Sequence, residues 1–255
     1  MFGEEINKVT MSAVKKSEFL KKSKIKYINA SALAGIFVGF GILLTFTIGG
    51  LLSQAGSPAT KIMMGASFGI ALSLVTMAGS ELFTGNAMTM TIGSLEKKVT
   101  WLDSINIWIY SFIGNLIGSA ALAAIFVSTG LVKGSTATFI LETTQMKMTA
   151  PAMELFSRGI LCNMLVCLAV WCSFKLKEET AKLIIIFWCL YGFVTTGFEH
   201  SVANMTLLST ALMIPHTSAI SMCGLAYNLF WVSSGNFVGG AVFIGASYWF
   251  ISKEK

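Results

Sequence analysis

The chain has 255 residues, of which 55% are hydrophobic and 12% charged, with a formal net charge of +6 and a mean hydropathy of +0.74. Soluble domains carry about 25% charged residues to cover their surface, so these values exclude a soluble fold, a disordered chain, a nucleic-acid binder and an extracellular disulfide scaffold. Twenty-four glycines and 14 methionines against three prolines suit a polytopic membrane protein. Cys162, Cys167, Cys172, Cys189 and Cys223 all lie in apolar runs without metal-ligand spacing and read as small packing residues.

In chain order, residues 1–26 form an N-terminal segment holding Lys8, Lys15, Lys16, Lys21, Lys22, Lys24 and Lys26 but no apolar block, unlike a secretory signal. Ile6, Val9, Ala13, Ser17 and Leu20 recur at helical spacing among those lysines. The pattern predicts a basic amphipathic helix lying on an anionic membrane surface. Residues 27–255 read as one six-helix transmembrane domain. A crossing needs about 20 apolar residues, which predicts spans near 28–51, 61–93, 104–128, 154–175, 182–213 and 221–250. The second and fifth are too long for a plain crossing, and polar residues interrupt each near its middle. Lys97 and Lys98, Lys175, Lys177 and Lys182, and Lys253 and Lys255 fall on the same side as the N-terminal lysines; Lys61, Lys133, Lys147 and Arg158 fall on the other. Positive charge accumulates on the cytoplasmic side, so both termini are expected there.

Three signatures occur twice in the same order. Ala34-Gly35-Ile36 echoes Arg158-Gly159-Ile160. The G-x-E-x4-N pattern of Gly79 to Asn86 returns in Gly197 to Asn204. The G-N-x-x-G-x-A pattern of Gly114 to Ala120 returns in Gly235 to Ala241. Repeats of about 28–128 and 154–250 with three spans each would enter the membrane in opposite orientation, with the functional site near the midplane. The predicted fold is an all-α membrane protein, an inverted 3+3 repeat with broken second and fifth helices. The second half-helices should begin near Asn86 and Asn204. Their positive N-terminal dipole ends would then meet at one point and favour an anion.

Glu81 and Glu199 are acidic residues at membrane depth, where charge is costly. Their equivalent positions favour a structural role, accepting hydrogen bonds from amides freed at the breaks, with Asn86 and Asn204 as caps. His200 has Leu82 as its counterpart in the first repeat, lies inside the break and is of the residue type that titrates nearest neutral pH, which favours a functional role over that of a satisfied core histidine. Thr84 offers a hydroxyl at the opposite break. Lys147, just before Pro151, either snorkels to headgroups or draws an anion to the pore mouth. His216 follows Pro215 in a short loop and should be solvated. Gly35/Gly39, Gly65/Gly69, Gly114/Gly118 and Gly235/Gly239 form G-x-x-x-G pairs for close helix packing. No catalytic order, nucleotide loop or metal cluster is apparent, so neither an enzyme nor a cofactor is expected.

Glu81-Leu82-Phe83-Thr84-Gly85-Asn86, the stretch Cys162-Asn163 to Trp171, and Phe198-Glu199-His200-Ser201-Val202-Ala203-Asn204-Met205 resemble the formate/nitrite transporter family over nearly the whole chain. The resemblance implies an aquaporin-like six-helix protomer with its own pore, a pentamer in the bacterial cytoplasmic membrane, and conduction of hydrosulfide, nitrite or formate. It implies His200 as central pore histidine facing Thr84, Lys147 before span four, an outer constriction of Phe68 and Phe193, and an inner one of Leu72, Leu82 and Phe83. Around Thr149-Ala150-Pro151-Ala152-Met153 the chain resembles the nitrite and hydrosulfide branches more than the formate branch, and hydrosulfide is favoured with nitrite and formate close behind. The rival reading is an aquaporin-like channel for small neutral solutes, which would carry two N-P-A boxes. Here Ala87 and Met205 follow the two asparagines.

Overall fold

The computed structural model describes residues 2–253, and these are helical with short connections. Lys255, counted above among the topology charges, lies outside the described residues. The helices are α1 (Gly3–Lys22), α2 (Lys24–Gln54), α3 (Thr60–Gly79), α4 (Phe83–Leu95), α5 (Trp101–Ser128), α6 (Gly134–Thr149), α7 (Ala152–Lys175), α8 (Glu179–Thr196), α9 (Ser201–Leu212) and α10 (Met222–Ser252). Six of these are long and apolar enough to cross a membrane: α2, α3, α5, α7, α8 and α10. The two overlong spans are each a crossing helix followed by a short one. Helices α4 and α9 are buried on every side, from Phe83 to Ser94 and from Ser201 to Ala211. A helix surrounded by protein needs no polar face, which explains why their sequences carry no amphipathic signal.

Helix α1 forms where its spacing predicts, with Glu4 and Glu5 in the first turn and Lys21 and Lys22 in the last, as the helix dipole favours. Its seat differs from expectation. Ile6, Val9, Ala13 and Leu20 are buried against protein rather than lipid. Ile6 and Val9 pack with Met88, Ile92 and Trp171, and Ala13 and Leu20 pack with Tyr27, Met90 and Ile107. The apolar stripe finds a ready apolar surface under α4, so burial there replaces a membrane seat. Helix α6 also departs from the sequence reading, which treats residues 129–153 as a connection.

The two described ends share one face. Phe2 packs edge-on to Trp171 and Tyr248, while the Trp249 indole and the Lys253 amine both donate to the Glu96 carboxylate. This is called the terminal face below, and the opposite one the far face.

The glycine pairs act as expected. A Cβ on Gly118 would sit 1.9 Å from the Ala32 carbonyl oxygen, and one on Gly35 would sit 2.2 Å from that of Asn115, so α2 and α5 touch backbone to backbone. Gly235 and Gly239 meet the Phe156 and Ile160 carbonyls in the same way, joining α10 to α7. Cys162, Cys167 and Cys189 are buried packing residues, Cys172 is partly buried and Cys223 is exposed. A Gly118→Val variant is expected to lose the folded assembly, whereas Gly192→Ala, whose Cβ would meet only Leu165 Cδ1 at 3.7 Å, keeps it. Size-exclusion profiles in mild detergent distinguish the two, and a normal profile for Gly118→Val contradicts the packing argument.

Candidate functional site

The two helix breaks meet. Thr84, in the first turn of α4, places its hydroxyl 3.1 Å from His200 Nε2, at the start of α9. Both groups are buried, so the positive ends of two short helices converge on one hydrogen bond. The Ala203 amide donates to His200 Nδ1 at 3.1 Å. Nδ1 is therefore an acceptor, and the neutral ring carries its proton on Nε2, facing Thr84.

Helices α4 and α9 begin at Phe83 and Ser201, earlier than expected, which places Asn86 and Asn204 inside the first turn. They are not the caps. The Phe83 amide donates to Asn115 Oδ1 (2.9 Å), and Asn115 Nδ2 donates to the carbonyls of Ser31 (2.7 Å) and Glu81 (2.9 Å). In the other half, the Ser201 amide donates to Asn236 Oδ1 (2.8 Å), and Asn236 Nδ2 donates to the carbonyls of Gly159 (2.8 Å) and Glu199 (2.9 Å). The capping asparagines thus reach across from α5 and α10. They are the Asn of the repeated G-N-x-x-G-x-A pattern, a signal used only to count repeats.

Glu81 and Glu199 do sit at the breaks, but their carboxylates accept from side chains rather than freed amides. Glu81 accepts from Lys16 Nζ (2.7 and 2.8 Å), the Tyr27 hydroxyl (2.8 Å) and Asn86 Nδ2 (3.2 Å). Glu199 accepts from Lys147 Nζ (2.6 Å) and Asn204 Nδ2 (2.7 Å). Lys147 therefore neither snorkels nor stands free at the mouth. It is largely buried, with 18% of its side chain exposed, and neutralises Glu199. Lys16 holds the corresponding place in the other half and was hidden from the sequence reading among seven lysines. Asn163 was also missed; its Nδ2 bridges the carbonyls of Thr84 (3.1 Å) and Asn236 (2.6 Å), tying the two breaks together.

Two vestibules lead toward the Thr84–His200 pair. A cavity of about 620 Å³ opens on the far face, lined by Lys61, Lys147, Arg158, Phe68, Phe193 and His200 among others. A second of about 440 Å³ opens on the terminal face beneath α1, lined by Lys16, Ser80, Glu81, Leu72, Leu82 and Asn86 among others. Between them lies a chamber of about 10 Å³, lined by Val38, Phe68, Ala71, Leu72, Leu82, Val166, Leu190, Phe193 and His200. Phe68 and Phe193 line both the far vestibule and the chamber, with ring centroids 5.6 Å apart edge to face. Phe193 also stacks on the imidazole of His200 at 5.9 Å. Leu72 and Leu82 separate the chamber from the terminal vestibule. Phe83 does not join them; it packs edge-on to Phe112 at 5.3 Å, away from the cavities. His216 is exposed in its loop, as expected. Among the described cations of the far vestibule, Lys147 pairs with Glu199 and Arg158 with Glu154, which leaves Lys61 without an ion pair.

Two vestibules joined through an apolar chamber with one imidazole are the anatomy of a membrane pore for small solutes. The chain belongs to the formate/nitrite transporter family: the family model described as Formate/nitrite transporter matches residues 3–250. It is 41% identical to a nitrite transporter, NirC, of Escherichia coli (strain K12), over 100% of this chain and 94% of the relative. Among solved structures it resembles an FNT family ion channel with a TM-score of 0.94 and 39% identity, covering 99% of this chain and 100% of the other. It also resembles a pentameric formate channel with formate bound, with a TM-score of 0.78 and 28% identity, covering 91% and 98%. The protein is a membrane transporter or channel, not an enzyme.

Removing one partner of a buried ion pair strands the other charge at a cost of roughly 3–5 kcal/mol. Lys147→Met alone is expected to lower thermal stability in detergent by that order, and Lys147→Met with Glu199→Gln to recover most of it. Equal melting of the wild type and Lys147→Met rules out the pair as a structural element.

Proposed function

We propose that the chain conducts small monovalent anions across the membrane, hydrosulfide first, with nitrite and formate as the nearest alternatives. The observation that carries this reading is a small, largely apolar chamber whose polar lining residue is His200, set where two helix N-termini meet. A cation entering would face two positive helix ends. An anion would find the Nε2–H of His200, which turns from Thr84 Oγ1 to the incoming charge. A chamber of about 10 Å³ is at the lower limit for one water-sized molecule. Its small size supports a compact solute. The nitrite transporter among the relatives supports nitrite as the first alternative.

Of a cationic and a neutral His200, the geometry favours the neutral ring. An imidazolium would set an Nδ1–H against the Ala203 amide and lose the cap of α9. A neutral ring that donates from Nε2 keeps it. On this reading the anion meets a hydrogen-bond donor rather than a fixed cation, and the neutral acid, which needs no donor, crosses the apolar constrictions more readily. Flux therefore rises as pH falls.

The two halves are read as an inverted repeat, the terminal face as cytoplasmic, and the assembly as a pentamer. Support for these comes from the matching hydrogen-bond sets at the breaks, the lysine distribution, and the pentameric formate channel among similar structures.

Asparagine is a good N-cap but too short to reach Thr84, so His200→Asn removes the chamber donor and keeps the fold. A hydrogen bond to a charged group contributes about 1.5–3 kcal/mol. His200→Asn is accordingly expected to lose flux by on the order of tenfold at neutral pH and less in acid, which steepens the pH profile. Fluxes of sulfide, nitrite and formate in proteoliposomes at several pH values provide the test. An unchanged profile eliminates the role of His200, and conduction of neutral solutes without anions eliminates the function.

A further inference from the structure

The two vestibules differ in charge. Lys16 and Glu81 are the charged residues lining the terminal vestibule, and they pair at 2.7 Å. The far vestibule is lined by Lys61, Lys147, Arg158 and Glu199. Lys147 is taken by Glu199 at 2.6 Å, and Arg158 pairs along α7 with Glu154. Lys61, in the first turn of α3, is exposed and makes no ion pair among the described residues. The neighbouring acid on α6, Glu142, is exposed and does not line the cavity, although Phe139, Thr143 and Met146 of the same helix do. One whole positive charge is therefore left on the wall of the far vestibule, and none on the wall of the other.

We infer that Lys61, and not Lys147, is the charge that gathers anions at the far mouth. This role requires the far vestibule to be an approach to the chamber, as proposed above. A lysine in contact with a carboxylate presents a dipole, whose field falls away faster than that of a lone charge. Lys61 presents the full charge, and its exposure spares it the desolvation cost that obliges Lys147 to keep a partner. The size of the vestibule sets the reach of that charge. A cavity of about 620 Å³ is about 10 Å across, whereas the Debye length is about 30 Å at 0.01 M salt and about 3 Å at 1 M. At low ionic strength Lys61 therefore acts on the whole vestibule, and at high ionic strength only on its own wall. An exposed ammonium also holds an anion loosely, so the solute is concentrated at the mouth and passed on. Lys61 does not line the chamber, so it raises entry of monovalent anions without choosing among them.

The experiment uses the full chain in phosphatidylcholine vesicles, whose zwitterionic surface adds no potential of its own. Nitrite and formate uptake, each at low concentration and neutral pH, is measured at about 0.01 M and about 1 M potassium gluconate, the two extremes of screening. Lys61→Gln, Lys61→Glu and Lys61→Arg are compared with Lys133→Gln, which removes the same charge from an exposed residue that lines neither vestibule. A unit charge about 7 Å away in water changes the local concentration of a monovalent anion roughly threefold. Lys61→Gln is accordingly expected to lower both fluxes about threefold at low salt and Lys61→Glu about tenfold, with the nitrite-to-formate ratio unmoved. Lys61→Arg and Lys133→Gln should stay near wild type. At high salt all four variants should converge on the wild type, which also shows that they are folded. The role of Lys61 is overturned by wild-type flux in Lys61→Gln at low salt, by a loss of the same size at both salt concentrations, or by an equal loss in Lys133→Gln. Absence of flux for both anions in the wild type fails the proposed function itself, whereas normal wild-type flux without a Lys61 effect fails only the role of this lysine.

Discussion

Everything in this molecule follows from the need to satisfy backbone groups where two helices break at membrane depth. In hydrocarbon each unpaired amide or carbonyl costs several kcal/mol, so a break survives only inside protein that supplies partners. Asn115 and Asn236 supply them. Each uses one acceptor and two donors to hold the first amide of a short helix, the carbonyl that precedes the break and a carbonyl of a third helix. One side chain therefore fixes three elements in each half. The glycine contacts are the second half of the same arrangement, because an asparagine on α5 reaches the Ser31 carbonyl of α2 only if the two backbones touch.

Charge is then placed so as to leave the pathway with little of it. Glu81 and Glu199 lie beside the breaks, and Lys16 and Lys147 neutralise them at 2.7 and 2.6 Å. Buried pairs of this kind are poor sources of net stability but costly to split, and their cancellation prevents either lysine from acting as a deep anion trap. The positive potential at the centre comes instead from backbone dipoles, which cannot be neutralised by a counter-ion at the same place. Helix α1 belongs to this system rather than to the membrane surface. It delivers Lys16 to one break as α6 delivers Lys147 to the other, so residues whose spacing suggests a basic amphipathic helix on the membrane surface form a wall of the terminal vestibule.

The crossing segments, the two breaks and the residues at them were legible in the sequence, because hydropathy and the repeated G-x-E-x4-N and G-N-x-x-G-x-A patterns are local signals. His200 and Thr84 were legible for the same reason, as polar groups inside otherwise apolar breaks. What was not legible depends on where helices come together. The start of α9 was misplaced at Asn204 because its first amide is taken by a residue of α10, and sequence spacing carries no trace of that partner. Lys147 was read as free because Glu199 lies far along the chain. Phe83 and Leu82 are adjacent and equally apolar, yet one turns to Phe112 and the other to the chamber. Hydrophobicity cannot distinguish them; only the helix phase after the break does.

The two halves match at their breaks and differ where Leu82 stands opposite His200. A second histidine would give the chamber two donors and a deeper well for an anion. Conduction requires binding strong enough to admit the solute and weak enough to release it. On the proposed reading, one imidazole and one leucine lining the chamber would offer an anion a single hydrogen bond and apolar contact, so that it is met but not enclosed. Thr84 completes this balance, because its hydroxyl accepts the Nε2–H of His200. The donor is thereby kept satisfied in a buried setting, and on the proposed reading an arriving anion would exchange one hydrogen bond for another instead of filling an empty one. On that reading the difference between the two breaks, rather than their likeness, would make the site a passage.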